Sequence, residues 1–163
     1  MRSFLTAHLG SRQVARVIYG AIIGLALVVA LEAHPPEAHA VVATLLGTTM
    51  AVALAEFYSE VVGFETTGRH RATHGEIRHL GADIAAVSFG IAFPAVFFVL
   101  ATAGVLSDDA AFTVAKWAGL GLIGLYGFAG ARLSGDGVLA SLMKATAVAL
   151  IGGALIGLKA VVH

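Results

Sequence analysis

The stretch IAAVSFGIAFPAVFFVLATAGVL, residues 84–106, decides the fold class, because it is uncharged and long enough to cross a bilayer. A transmembrane helix needs about 20 consecutive apolar residues. The whole chain is 58% hydrophobic and only 12% charged. Soluble domains carry about 25% charged residues, so this sequence lacks the polar groups to cover a surface facing water. We therefore predict an all-α integral membrane protein whose surface is covered by the lipid bilayer.

Five apolar segments are predicted to form the membrane bundle. They cover residues 16–32, 41–64, 80–106, 110–131 and 138–162. Short loops separate them and no linker divides the chain, so residues 1–163 are predicted to form a single transmembrane helical domain. Pro94 falls midway along the third segment, where a proline frees a carbonyl and is expected to kink a helix.

Lys and Arg indicate the orientation of the bundle, because they are enriched in cytoplasmic loops. The N-terminal segment holds Arg2, Arg12 and Arg16, the loop after the second span holds three arginines, and the loop after the fourth span holds Arg132. The other two loops hold neither Lys nor Arg. The N-terminus is thus predicted to be cytoplasmic and the C-terminus outside. The compact, alanine-rich chain favours a bacterial inner (cell) membrane.

Composition also argues against several classes of function. Net charge is zero, which suggests no nucleic-acid partner, and the chain has no cysteine, which excludes disulfides and thiolate metal sites. No catalytic constellation stands out, so the protein is not expected to be an enzyme, and no permanently bound cofactor is expected.

Two carboxylates lie one helical turn apart within the second span, in the run AEFYSE of residues 55–60. A carboxylate inside a membrane costs roughly 2.5–3.5 kcal/mol on insertion scales. Glu56 and Glu60 share a helix face with Thr49, and Ser59 adds an oxygen nearby. Such a face suits a divalent cation or a proton relay. Alternatively, Glu60 is solvated at the interface and Glu56 pairs with a structural arginine or a backbone donor.

The loop GFETTGRHRATHGEIRHLGAD, residues 63–83, is a second candidate site. Imidazole and carboxylate groups at this density suit iron, zinc or manganese. The candidate metal ligands are His70, His74, Glu76 and His79, and Asp83 would pass a cation toward the pore. The alternative is a solvated charged loop whose arginines set the topology.

Small residues repeat along the last two spans. Gly121, Gly124, Gly127 and Gly130 recur every three residues, and positions 145, 149, 153 and 157 hold Ala or Gly at every fourth residue. Such stripes let two helix backbones approach closely. They fit packing within the chain or the seam of a homodimer.

Three motifs together resemble the vacuolar iron transporter family. RVIYGAIIGL (residues 16–25) follows the frame of that family's first span, and AEFYS (55–59) is similar to its Gly-Glu-Tyr-x-Ser motif, with Glu56 at the Glu position and Ser59 at the Ser position. GFAGARLSG (127–135), followed by the Gly-rich last helix, is similar to its closing turn. The resemblance implies five spans, a cytoplasmic N-terminus and a dimer.

The chain departs from the family in three places. The Asp of the family's translocation path falls at Ile23, and the Met that precedes the motif Glu falls at Val52. The cytoplasmic metal-binding insertion of many members is replaced by the short His-rich loop. The sequence therefore resembles a short, divergent member.

We expect a homodimeric transporter of divalent metal cations, with iron or manganese (Fe²⁺ or Mn²⁺) as the transported ion and coupling to protons. Glu56, Glu60, Ser59 and Asp83 would form the ion path. Two alternatives stay open. One is a non-transporting accessory or scaffold subunit that contacts other membrane subunits, and the other is a small cation or proton channel.

Overall fold

The computed structural model describes residues 11–67 and 73–162, and within these ranges the chain forms helices and no strand. The helices are α1 (Ser11–Leu31), α2 (Ala38–Thr67), α3 (His74–Ala92), α4 (Ala95–Thr102), α5 (Asp108–Leu133) and α6 (Val138–Val162). The prediction of an all-α chain is confirmed for these residues.

Three helices are long and apolar enough to cross a membrane, and α3 with α4 adds a fourth if the bent pair is one span. The three segments are Arg12–Leu31, Ala38–Phe64 and Asp108–Leu133. These helices are consistent with an integral membrane protein. In α6, the side chains are described without a gap only over the apolar stretch Val138–Ala154. A fifth span and the sidedness of the termini therefore stay predictions.

The third predicted span is two helices, because α3 and α4 meet at an angle of 49°. Pro94 lies at the junction and has no N–H to donate to the preceding turn, where its ring also clashes. The rings of Phe89, Phe93 and Phe97 follow one another across the bend, with centroids 5.9 and 5.7 Å apart. Pro94 therefore explains the bend, as the sequence predicts.

α1 is the central helix, since it packs against α3, α5 and α6, whereas α2 packs mainly against α3 and α4. The contact between α1 and α3 brings backbone against backbone. A Cβ atom added to Gly20 would overlap the carbonyl oxygen of Val87, and one added to Gly90 would lie 2.5 Å from the backbone nitrogen of Ala21. Residues without a side chain are therefore required where these two helices cross.

A hydrophobic core joins α1, α2, α4 and α5 at the end of the bundle where α1 finishes. Val28, Leu45 and Phe98 are fully buried there. The rings of Phe98 and Phe112 meet edge to face at 75°, with centroids 4.8 Å apart. Such aromatic pairs contribute about 0.5–1.5 kcal/mol beyond the area that they bury. This core holds one end of the bundle, while charged side chains hold the other.

The glycine stripe of α5 packs in part against α6. A Cβ atom on Gly127 would lie 3.3 Å from the Cα of Ala145, so these helices are close at this level. Other small residues of the two stripes have no atom within 4 Å of an added Cβ in the described part of the chain: Gly121, Gly153 and Gly157. Packing within the chain thus accounts for part of the stripes, and the homodimer stays a prediction.

α2 presents most of its apolar side chains to the outside of the bundle. Only 11% of the most apolar part of α2 is buried inside the protein, compared with 44% of the same part of α1. The exposed residues include Leu46, Met50, Leu54 and Phe57. Lipid tails can cover such a face without cost, which agrees with the position of α2 at the edge of the bundle.

Candidate functional site

Glu56 and Glu60 both face α1, where one arginine lies between them. Arg16 Nη1 donates a hydrogen bond to Glu56 Oε2 at 2.6 Å, and its Nη2 donates to Glu60 Oε1 at 3.3 Å. The side chains of Arg16 and Glu56 are only 22% and 21% exposed. A planar guanidinium group with several N–H donors suits two neighbouring carboxylates. One arginine therefore engages both acidic residues of the second span.

Arg12, one helical turn before Arg16, extends this arrangement to α3. Its Nε lies 3.2 Å from Oδ2 of Asp83, and its Nη2 lies 4.0 Å from Oε1 of Glu60. Asp83 is buried, whereas the side chain of Arg12 is 71% exposed. Arg12 thus bridges carboxylates of two helices from an exposed position. We call the five groups, Arg12, Arg16, Glu56, Glu60 and Asp83, the ion-pair network.

Helical spacing explains why these side chains meet. The two arginines of α1 are four residues apart, and so are the two glutamates of α2, so each pair lies on one side of its helix. The pairs fall into register because α1 and α2 run in opposite directions. The two helices make few backbone contacts with each other. At this end of the bundle, the ion pairs therefore provide much of the link between α1 and α2.

The charges of the network do not balance. In the part of the chain that the structure describes, three carboxylates face two guanidinium groups, which leaves one negative charge in excess. All five residues lie on helices that are candidate membrane spans, counting the bent pair as one. An uncompensated carboxylate in such a place is costly unless it is protonated or binds a cation. This excess of negative charge makes the ion-pair network the candidate functional site.

The structure brings together three of the four residues that were predicted for the ion path. Glu56, Glu60 and Asp83 belong to the ion-pair network. Ser59 is exposed on α2 and takes no part in the ion pairs. The hydroxyl of Thr49 donates to the backbone oxygen of Leu45 within its own helix, 2.8 Å away.

The predicted metal ligands of the loop are dispersed or lie outside the described residues. His70 and the side chain of His74 lie outside them. The carboxylate of Glu76 accepts from the backbone N–H and the hydroxyl of Thr73, both at 2.7 Å, in a capping box that begins α3. His79 is exposed. Within residues 11–67 and 73–162, no three His, Asp or Glu side chains form a group that could hold a metal ion.

A groove of about 700 Å³ opens between α1, α3 and α5, on the side of α3 that carries His79. Gln13, Arg78 and His79 supply its polar lining, while Phe89 and several small residues supply its apolar lining. The buried Oε1 atom of Gln13 has no hydrogen-bond partner in the described part of the chain. The groove was not predicted from the sequence.

The roles of Arg12 and Arg16 in the network were not predicted either, since in the sequence these residues indicate only orientation. The signal that could have found them is their four-residue spacing, which matches that of the two glutamates. A second ion pair was also missed. Lys116 Nζ lies 2.5 Å from Glu32 Oε1, and it ties the end of α1 to α5 with side chains that are 19% and 23% exposed.

Comparison of the chain with protein-family models, with curated proteins and with solved structures found no match. The resemblance to the vacuolar iron transporters therefore rests on the sequence motifs alone. Arg16 lies in the first of those motifs and Glu56 in the second, and these two residues make the shortest contact of the network. The missing Asp position, Ile23, lies on α1 beyond the arginines.

Proposed function

We propose that the protein is a proton-coupled transporter of divalent metal cations, with iron or manganese as its substrate. The observation that carries this proposal is the excess of one carboxylate over the guanidinium groups in the ion-pair network. Intramembrane carboxylates are expensive, and ion or proton pathways are a main reason for a span to keep them. Carboxylate oxygens are also ligands that suit manganese and ferrous iron.

The exposure of the two arginines suggests how a cation would enter. The side chain of Arg12 is 71% exposed, so it can leave Glu60 and Asp83 when a divalent cation approaches. Arg16 is only 22% exposed and holds Glu56 in place. The cation would then take the two carboxylates that Arg12 has left. Protons compete for the same oxygens, so protonation of Glu60 or Asp83 would release the cation and couple its movement to the proton gradient.

Flux of Fe²⁺ and Mn²⁺ into proteoliposomes under an imposed pH gradient tests the proposal. Glu56→Gln and Asp83→Asn should abolish saturable flux, because each removes a carboxylate from the network. Glu37→Gln is the matched control, since the side chain of Glu37 is 82% exposed and lies outside the network. Undiminished flux in Glu56→Gln would reject the assignment of Glu56 to the ion path.

A double variant separates a transport role of Glu56 from a structural one. Glu56→Gln alone leaves Arg16 with a single partner, Glu60, and could impair flux by loosening the fold. Glu56→Gln combined with Arg16→Gln removes the Glu56–Arg16 pair as a whole, so that Arg16 is not left with one of its two partners missing. If the Glu56 carboxylate serves transport, the folded double variant still shows no flux. Recovery of flux in the double variant would assign Glu56 a structural role.

A second candidate is a non-transporting accessory subunit of a larger membrane complex. The pairing of Arg16 with both glutamates favours it, because this pairing is also what a purely structural ion pair between helices requires. Absence of Fe²⁺ and Mn²⁺ flux above empty liposomes, together with purification in a stable complex with unrelated subunits, would support this candidate over the transporter.

A further inference from the structure

The groove between α1, α3 and α5 changes character along its length. Arg78 and His79 lie near the start of α3, whereas Ala82, Ala86 and Phe89 follow farther along the same groove. At 1.5 Å per residue, Arg78 and Phe89 are separated by about 16 Å along the helix. One end of the groove is therefore polar and basic, and the rest is an apolar channel lined by small side chains.

The apolar part of the groove belongs to a predicted membrane span. Residues 82–89 belong to the third predicted span and to the bent pair that is long and apolar enough to cross a membrane. Arg78 and His79 lie in the first turns of that bent pair, which begins at Gly75, and are exposed, as expected near the level of the lipid headgroups. The direction of the groove thus matches the direction of a lipid molecule in one leaflet.

The basic end of the groove carries the positive charge of Arg78, which no negative side chain balances in the described part of the chain. No carboxylate among the described residues pairs with Arg78, in contrast to Arg12 and Arg16 nearby. Gln13 lines the same groove, but its Oε1 atom is buried and is not exposed to a ligand there. A guanidinium group binds a phosphate strongly.

We propose that this groove binds one anionic phospholipid. Its phosphate pairs with Arg78 beside His79, and one acyl chain lies over Ala82, Ala86 and Phe89. The volume of about 700 Å³ falls in the range of pockets that enclose small ligands. Basic pockets between membrane helices are known to suit lipid headgroups. The lipid site does not depend on the proposed transport.

Native mass spectrometry of the detergent-solubilised protein, with added lipid, tests the site. Phosphatidylglycerol should give a one-to-one adduct, and phosphatidylcholine with the same acyl chains should give much less. Arg78→Gln should weaken the adduct by about tenfold or more, because it removes a charge-assisted contact. Arg132→Gln is the control for loss of a cation at the same predicted side of the membrane, and it should leave the adduct unchanged.

Two further measurements distinguish a lipid site from a site for free phosphate and from nonspecific adhesion of lipid to the apolar surface. Ala86→Trp fills the apolar channel without touching the basic end, so it should also remove the adduct. Soluble glycerol phosphate, which has the headgroup but no acyl chain, should not displace phosphatidylglycerol. Equal adducts in wild type and Arg78→Gln, equal binding of phosphatidylcholine, or displacement by glycerol phosphate would each overturn the proposal.

Discussion

Arg16 makes two hydrogen bonds where a lysine could offer only a compact point charge. Its guanidinium group reaches Glu56 at 2.6 Å and Glu60 at 3.3 Å, so a single side chain fixes the position of two turns of α2 relative to α1. Arg12 makes longer contacts from an exposed position. The two arginines carry the same charge, but Arg16 makes the close hydrogen bonds between α1 and α2, whereas Arg12 makes longer, exposed contacts.

Removal of Arg16 should therefore destabilise the protein more than removal of Arg12. Arg16→Gln leaves Glu56 without a cation and Glu60 with Arg12 alone, and it should cost about 1.5–3 kcal/mol, the range of hydrogen bonds to charged groups. Arg12→Gln should cost less, because the exposed side chain of Arg12 is screened by solvent, although it removes the partner of the buried Asp83. Thermal unfolding in detergent, followed by loss of the monodisperse species, measures both. An equal or larger effect for Arg12→Gln would contradict this ranking.

At this scale the sequence identifies the acidic residues but not their partners. The cost of a carboxylate in an apolar span marks Glu56 and Glu60 without any structure. Arg16 lies 40 residues from Glu56 in the sequence, and their pairing depends on where the loop between α1 and α2 lets the second helix begin. That register is set by packing, so no local pattern specifies it.

At the scale of helices, the tightest contact in the bundle is formed by glycines that the periodic pattern did not single out. The stripes of α5 and α6 repeat regularly, yet Gly121, Gly153 and Gly157 face open space in the described part of the chain. Gly20 and Gly90 belong to no long stripe, and they meet backbone atoms of the neighbouring helix. A repeat of small residues shows where two helices can approach closely. Which of these positions actually contact another helix depends on where that helix lies.

Gly20→Ala should separate α1 from α3 and destabilise the protein. A methyl group at this position would overlap the Val87 carbonyl oxygen, which is backbone and cannot move alone. Overpacking of this kind costs about 1–3 kcal/mol. Gly47→Ala is the matched control in a membrane helix, because an added Cβ there meets no atom within 4 Å. The same thermal unfolding assay compares the two, and a loss of stability in Gly47→Ala as large as that in Gly20→Ala would refute the close approach.

Other features of the helices could be predicted because they depend on one residue or on composition. The 49° bend occurs at Pro94, the residue that cannot donate the missing hydrogen bond. The helical class follows from apolar segments that have no other way to satisfy their backbone in a membrane. By contrast, the capping role of Glu76 depends on Thr73, three residues earlier, and not on the neighbouring imidazole groups that make it resemble a metal ligand.

At the scale of the whole molecule, two different kinds of interaction hold the two ends of the bundle. Aromatic and aliphatic packing around Phe98 joins the end where α1 finishes, with the Lys116–Glu32 pair beside it. At the end where α1 begins, the ion-pair network adds to the packing of Val14 and Val17. The proposed cation site therefore lies where charged side chains, which can exchange partners, contribute to holding the helices. The packed end would remain rigid while the charged end rearranges.

The number of membrane crossings is the property of the whole molecule on which the transport proposal depends. Because the chain has no cysteine, single cysteines report their own accessibility without background. We expect a membrane-impermeant maleimide to label His34→Cys and Val105→Cys in intact cells. His34 is exposed in the first predicted outer loop, and Val105 is exposed in the turn between α4 and α5, beside the second. Ser134→Cys, in the predicted cytoplasmic turn, should be labelled only after permeabilisation.

A cysteine appended to the C-terminus then decides whether α6 crosses the membrane. Five spans require it to be labelled in intact cells, on the side opposite to Ser134→Cys. α6 is 25 residues long, which is enough to cross. The unmodified chain should show no labelling at all. If the C-terminal cysteine is labelled only after permeabilisation, together with Ser134→Cys, then α6 does not cross, and the bundle has four spans with both termini on one side.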